Sequence, residues 1–248
     1  MNENNARQPF FYDVTLRDGN QALPKPWNNA QKKDVYLQLL KLGVQGAEVG
    51  FPASSEMDFE SCKELAQLTA KMAEEGDEVA MRVVVSGLAR CVESDIQRCW
   101  EAVQFAPHPR IHTFLATSPL SMEHVLHLTP EQVKEKAVKC VTLAKSLVGS
   151  KGDVEFSAEH FGDCLENMDF VIDVLKAVVE PALQARRSPP KLPSFSLRPI
   201  FLKNIFCVGT CPPVRMMTSI WLISFVIWVL RSSHISTEAT GRPLIGRA

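Results

Sequence analysis

An alternation constrains this chain more than any single motif. Over the first 180 residues, short apolar runs take turns with amphipathic stretches, five times in succession. Residues 10–15, 46–50, 79–85, 111–117 and 154–157 read as strands. Between and after them, residues 28–42, 56–75, 90–105, 130–148 and 165–179 read as helices. The first helix sets Val35, Leu39 and Leu42 at i, i+4 and i+7, and Gly43 suits its stop. Ser54 or Ser55 can cap the second, with Glu56 and Asp58 in its first turn and Gly76 closing it. The fourth has Thr129 at the N-cap, Pro130 at the first position and Gln132 completing a capping box. The last gathers Val171, Val174, Leu175 and Val178 on one face. Repeated units of about 30 to 40 residues imply a parallel α/β sheet with right-handed crossovers.

Two architectures meet that description: a doubly wound sheet and a (β/α)8 barrel. Polar residues fall on or just past every strand: Arg17 and Asp18, Glu48, Ser86, His112 to Thr117, and Glu155 to Ser157. A barrel gathers all strand ends into one mouth, whereas an open sheet concentrates its site at one switch point. No G-x-G-x-x-G or Walker loop supports a nucleotide fold. The expected fold is therefore part of a TIM barrel, about five β-α units.

The alternation stops at Glu180, and composition changes there too. Residues 1–180 hold 27 of the 28 acids against 18 Lys and Arg; residues 181–248 hold Glu238 alone against nine. Pro181, Pro189, Pro190, Pro193 and Pro199 are expected to interrupt any helix or central strand. The apolar run 220–230 is short of the ~20 residues of a spanning helix. We therefore expect two regions, a barrel part over 1–180 and an irregular, non-homologous tail over 181–248. Out-of-frame or intron-derived translation would produce such a tail. A second reading has its basic and apolar residues attach the chain to a membrane or partner.

A net charge of −1 predicts no general attraction to nucleic acid or to an anionic membrane. Seven cysteines lie scattered without a framework, and the pair Cys207 and Cys211 has no second pair nearby. Residues 1–8 are polar and lack the apolar core of a signal peptide. The expectation is a cytoplasmic, reducing compartment with free thiols.

The densest chemistry lies in the run Tyr12-Asp13-Val14-Thr15-Leu16-Arg17-Asp18-Gly19-Asn20-Gln21. A strand leads into a cation, a carboxylate, a tight turn and an amide within a few residues. At a barrel mouth these could hold a 2-keto acid on a divalent metal. Each candidate also has a plain structural reading. Arg17 and Asp18 could form a surface ion pair, Glu48 could be a solvated strand end, His112 a satisfied core histidine, and Glu155 a partner for a lysine.

The run 11–23, then Glu48-Val49-Gly50-Phe51-Pro52, His112-Thr113-Phe114-Leu115-Ala116-Thr117-Ser118 and Glu155-Phe156-Ser157-Ala158-Glu159, in this order, resemble the 2-isopropylmalate synthase family. Homocitrate and citramalate synthases are its sisters, in a barrel superfamily that also contains lyases. The resemblance covers about residues 9 to 180. It implies a metal-assisted Claisen condensation of acetyl-CoA with a 2-keto acid, 2-ketoisovalerate for the leucine pathway, followed by thioester hydrolysis. A ketone is a weak electrophile until its oxygen is polarised, and acetyl-CoA must lose an α-proton to a base. By this resemblance Asp18 is a metal ligand, for Mg²⁺ or Mn²⁺. Arg17 stabilises the growing alkoxide and Glu155 is the catalytic glutamate. Gln21 orients the keto acid, and Glu48, His112 and Thr117 lie near the substrate. The implied partners are acetyl-CoA and the keto acid, with a homo-oligomer or a full-length homologue as possible protein partners. The family's Gly-rich sixth strand and His-x-His metal motif find no match after Glu180, where His234 is the only histidine. Activity of this chain is accordingly expected to be impaired. A homocitrate or citramalate synthase or a related aldolase or lyase, a non-catalytic binding subunit, and an inactive frameshift product are the alternatives.

Overall fold

The computed structural model describes the backbone of residues 10–184. The tail beyond, with Cys207, Cys211, His234 and the run 220–230, lies outside the described residues, as do residues 1–9. Five strands form one parallel sheet: β1 (Tyr12–Asp13), β2 (Gly46–Gly50), β3 (Val84–Arg90), β4 (His108–Ala116) and β5 (Asp153–Glu159). Their spatial order is β1-β2-β3-β4-β5, each strand beside its predecessor. A doubly wound sheet reverses its order at a switch point. This one never reverses, which is the order of a barrel wall, and the fold is a partial (β/α)8 barrel.

The helices are α1 (Asn29–Leu42), α2 (Glu56–Glu74), α3 (Glu93–Val103), a short α4 (Pro119–Ser121), α5 (Pro130–Val148) and α6 (Met168–Gln184). Their ends follow local chemistry. Asn28 accepts from Gln31 N at 2.9 Å, and Gln31 accepts in return from Asn28 N at 3.1 Å. Thr129 and Gln132 close the expected box at the start of α5. Ser55, rather than Ser54, caps α2 through Asp58 N. Gly43 takes φ +77° after α1, a conformation that glycine adopts without penalty.

Apolar residues at helical spacing bury each helix against the sheet. Phe59, Cys62, Leu65 and Ala66 do so from α2, Ile96, Cys99 and Val103 from α3, and Val171, Val174 and Val178 from α6. Ala47, Val49, Val85, Ile111 and Phe156 meet them from the strands. Among the described residues, no helix is long and apolar enough to cross a membrane. The five described cysteines are free and buried.

Several boundaries differ from expectation. The first strand keeps only Tyr12 and Asp13 in the ladder; Thr15–Gly19 instead coils into one π-helical turn that carries Arg17 and Asp18. Asp13 starts that turn by accepting from Thr15 N at 2.8 Å and Thr15 Oγ1 at 3.0 Å. The third strand lies at Val84–Arg90 rather than 79–85, because its partners are set by β2: Val84 pairs with Gly46 and Val85 with Ala47. The buried stripe of α1 is Lys32, Tyr36 and Leu40, while Leu42 is 78% exposed. Tyr36 can be buried because its hydroxyl meets Thr69 Oγ1 at 2.6 Å, and Lys32 because it pairs with Asp58. Pro181 does not stop α6, whose backbone runs on to Gln184. A proline so near the C-terminal end removes one donor but leaves the preceding turns intact.

Candidate active site

Side chains alternate across a strand, so residues of one parity share a face. Odd and even positions separate cleanly here. Ala47, Val85, Ile111 and Phe156 join the helix-side core. Their neighbours Glu48, Ser86, Arg110, His112, Glu155 and Ser157 are all buried on the opposite, inner face. Buried charges must be paired to be tolerated, and these form a line of alternating sign.

Arg17 Nε donates to Glu48 Oε1 at 3.0 Å, and Arg17 Nη1 donates to Asp18 Oδ1 at 2.6 Å. Glu48, 1% exposed, also faces His112 Nδ1 at 3.3 Å. His112 Nε2 meets Ser157 Oγ at 2.8 Å. On β4 and β5, Arg110 Nη1 donates to Glu155 Oε2 at 3.0 Å, and Nη2 donates to Asp153 Oδ2 at 2.9 Å. The register explains the meeting: Arg110 pairs with Asp153, and His112 with Glu155.

The charges set one another's protonation. Burial pushes the Glu48 carboxyl up, but His112 and Arg17 outweigh it and hold the group below its usual range. Burial pulls His112 down, but Glu48 and then Glu155 raise it above its ordinary value. Arg17 and Arg110 are raised too, their desolvation offset by the carboxylates beside them. Burial, with Glu48 and Glu155 adding to it, pushes the Tyr12 phenol well up.

Of the residues singled out in the sequence, the fold thus brings Arg17, Asp18, Glu48, His112 and Glu155 to one inner face. Arg17 and Asp18 lie in the turn just past β1, but the others sit inside their strands: His112 is the fifth of nine residues in β4, and Glu48 is central in β2. Glu48 is no solvated strand end, and Glu155 pairs with arginine rather than lysine. Gln21 is exposed and lines a cavity of about 180 Å³ with Arg17, Lys32 and Asp58. Thr117 is buried against Cys164, its Oγ1 3.4 Å from Cys164 Sγ. Among the described residues, no hydrogen bond links Gln21 or Thr117 to the charged line.

Sequence reasoning missed Arg110. The signal was available: Arg110 precedes His112 by two positions, the spacing of a shared strand face, in a strand that should otherwise be apolar.

A divalent metal is a different matter. Asp18 is 57% exposed and engaged by Arg17. Among the described residues, no group of three or more His, Cys, Asp or Glu is placed to hold an ion. Catalytic metals normally take about three protein ligands, so the described residues do not by themselves fit one.

The chain belongs to the HMGL-like family, whose model matches residues 8–186. It is similar to 2-isopropylmalate synthase 2 of Leptospira interrogans, 50% identical over 168 residues, which cover 68% of this chain and 37% of that protein. The 2-isopropylmalate synthase of Halalkalibacterium halodurans is 43% identical over 174 residues, covering 70% of this chain and 31% of its own. The chain spans about a third of the length of these curated relatives. Among solved structures, an HMG-CoA lyase from Acinetobacter baumannii, in complex with coenzyme A and 3-methylmalate, covers 70% of this chain and 53% of its own. Its TM-score is 0.48 and its identity 18%.

Proposed function

We propose that residues 1–180 carry the acid-base half of a 2-isopropylmalate synthase-type site, one that condenses acetyl-CoA with a 2-keto acid such as 2-ketoisovalerate. The single observation behind this reading is the convergence of Arg17, Glu48, His112 and Glu155 on one buried face. In the relatives' own names the activity is a synthase; for this chain it is a proposal.

Condensation needs a cation where negative charge develops and a base where a proton leaves. Arg17 supplies the cation, and Glu48 keeps it aimed across the inner face. Glu155 takes the α-proton of the thioester. His112, whose hold on a proton Glu48 and Glu155 strengthen, balances the charge of that face as the proton moves. Gln21 and Thr117 are proposed as further substrate contacts. Asp18 would give a Mg²⁺ or Mn²⁺ ion one ligand only, and no step here is routed through a metal. Sister reactions with other 2-keto acids use the same machinery. We also propose 181–248 as a region apart from the barrel part, and a cytoplasmic setting.

A second reading is favoured by the isolation of Asp18: a chain that binds the keto acid without turning it over. Association with a second copy or a full-length homologue would suit it, since β1 and β5 are edge strands among the described residues. Isothermal titration with 2-ketoisovalerate and Mg²⁺, beside release of the CoA thiol in an assay, separates the two. Turnover supports the synthase; heat without turnover supports the binder. Either signal should vanish in Arg17→Ala, and binding that survives in that variant would sink both.

A further inference from the structure

The mechanism leaves Arg110 unused, although it is a buried cation that bridges two carboxylates of the inner face. Its side chain is 8% exposed. It is held between two carboxylates of one strand, Asp153 at 2.9 Å and Glu155 at 3.0 Å. Two aromatic rings flank the guanidinium, Tyr12 with its centroid at 5.7 Å and Phe10 at 6.0 Å. Such contacts lock a planar fork that would otherwise rotate.

The two acids differ. Asp153 is 57% exposed and can satisfy itself with water. Glu155 is 3% exposed, so its partners decide its orientation. Oε2 accepts from Arg110, whereas the buried Oε1 accepts no hydrogen bond from any described residue. A buried carboxylate oxygen without a donor is costly in a merely structural ion pair. It is what a base needs, because an oxygen already occupied by a donor is a poor proton acceptor.

We infer that Arg110 is the positioning residue of Glu155, clamping Oε2 so that Oε1 is the oxygen that receives the proton. Arg110 touches neither substrate nor reacting atoms in this scheme and acts only through Glu155. The inference rests on Glu155 being the base proposed above. Asp153 completes the device by anchoring the second arm of the fork, so that the guanidinium cannot swing with its partner.

Two readouts on the full 248-residue chain test this. The first is exchange of the acetyl-CoA methyl protons in D₂O, which needs only a base. Arg110→Met should lower the saturated exchange rate by about 100-fold, the usual cost of a small misplacement. The acetyl-CoA concentration giving half the maximal rate should not change. Added guanidinium should restore part of the rate, Arg110→Lys should be intermediate, and Arg110→Met should cost nothing further once Glu155→Gln is in place. A loss that appears in the half-saturating concentration instead, or that adds fully to Glu155→Gln, overturns the positioning role. The second readout needs no turnover: the side-chain carboxyl ¹³C resonance of Glu155, found by its loss in Glu155→Gln. It should move in Arg110→Met and return with guanidinium. A resonance indifferent to Arg110→Met refutes the clamp even where exchange is seen. A ¹³C response to Arg110→Met, with no exchange by the wild-type chain, refutes the base, not the clamp.

Discussion

The two faces of the sheet are built from the same strands by opposite means. On the helix side, Val49, Val85, Ile111 and Phe156 are held by volume: each fills space left by α2, α3 or α5. On the inner side, Glu48, Arg110, His112 and Glu155 are held by charge, each stabilised only while its neighbour is present. Apolar packing is divisible, since one methyl can be lost without stranding another. An alternating line of charges is less divisible, because removing one member strips a charged partner from its buried neighbours: losing Glu48 takes the buried acid from both Arg17 and His112. The helix side is therefore tolerant of small losses, whereas the inner side stands at energetic risk from a single one.

The largest effect expected from this contrast is at Glu48. Glu48→Ala should destabilise by about 3–5 kcal/mol in urea unfolding, because Arg17 and His112 lose their shared acid. A loss under about 1 kcal/mol would mean that the inner face is wetter than the burial of Glu48 implies. On the helix side the test is overpacking. A Cβ on Gly87 would lie 2.7 Å from Cys99 Sγ and 3.1 Å from Val103 Cγ1. Gly87→Ala should cost about 1–3 kcal/mol, relieved by adding Cys99→Ala. No relief in the double variant would place the strain elsewhere.

A pH series sharpens the same comparison, since the inner face holds the paired histidine and glutamate. His112 is raised above its ordinary 6.5 on folding. Its contribution is full below 6.5 and is lost as pH rises through the folded value. Glu48 is lowered from its ordinary 4.5. Its contribution is present above 4.5 and is lost as pH falls through the folded value. The stability advantage of the wild-type chain over His112→Asn should therefore be greatest between those two ordinary values and shrink on either side. An advantage that kept growing toward pH 9 would refute the paired, cationic histidine. The smallest effect is expected at the solvent-exposed pair of Arg82 and Glu78, whose side chains are 77% and 78% exposed. Arg82→Ala should stay within about 0.5 kcal/mol, despite a bond as short as that of Arg17 with Glu48.

The helix ends were the most legible part of the fold. Thr129 with Gln132, Ser55 and Gly43 work through contacts within a few residues, and such contacts are written locally. Strand positions were less so. The β-branched residues of 79–85 point to a strand, but where it begins depends on Val84 finding Gly46, 38 positions earlier in the chain. The length of β1 was lost for a related reason: Asp13 captures Thr15 and turns the chain before the ladder can extend. At the site, Arg17, Glu48, His112 and Glu155 could be picked out as residue types at strand positions. Their mutual geometry could not, because it follows from the stagger of four strands. Arg110 was passed over because Pro107 and Pro109 just before it read as a break ahead of the strand, although its spacing from His112 gave the shared face; its pairing with Asp153 and Glu155 shows only in the fold.

The uninterrupted order of the strands has a consequence for biosynthesis. Each β-α unit docks on the one made just before it, so the wall can grow as the chain leaves the ribosome. The charged line cannot form in that fashion. Arg110 and His112 are synthesised more than forty residues ahead of Glu155 and Ser157, the groups that satisfy them. A nascent chain that has made β4 but not β5 already has Glu48 for His112, but it holds Arg110 without either of its carboxylates. The last described strand therefore acts as a completion signal: until it arrives, the inner face repels its own burial, and after it arrives the wall is electrically closed.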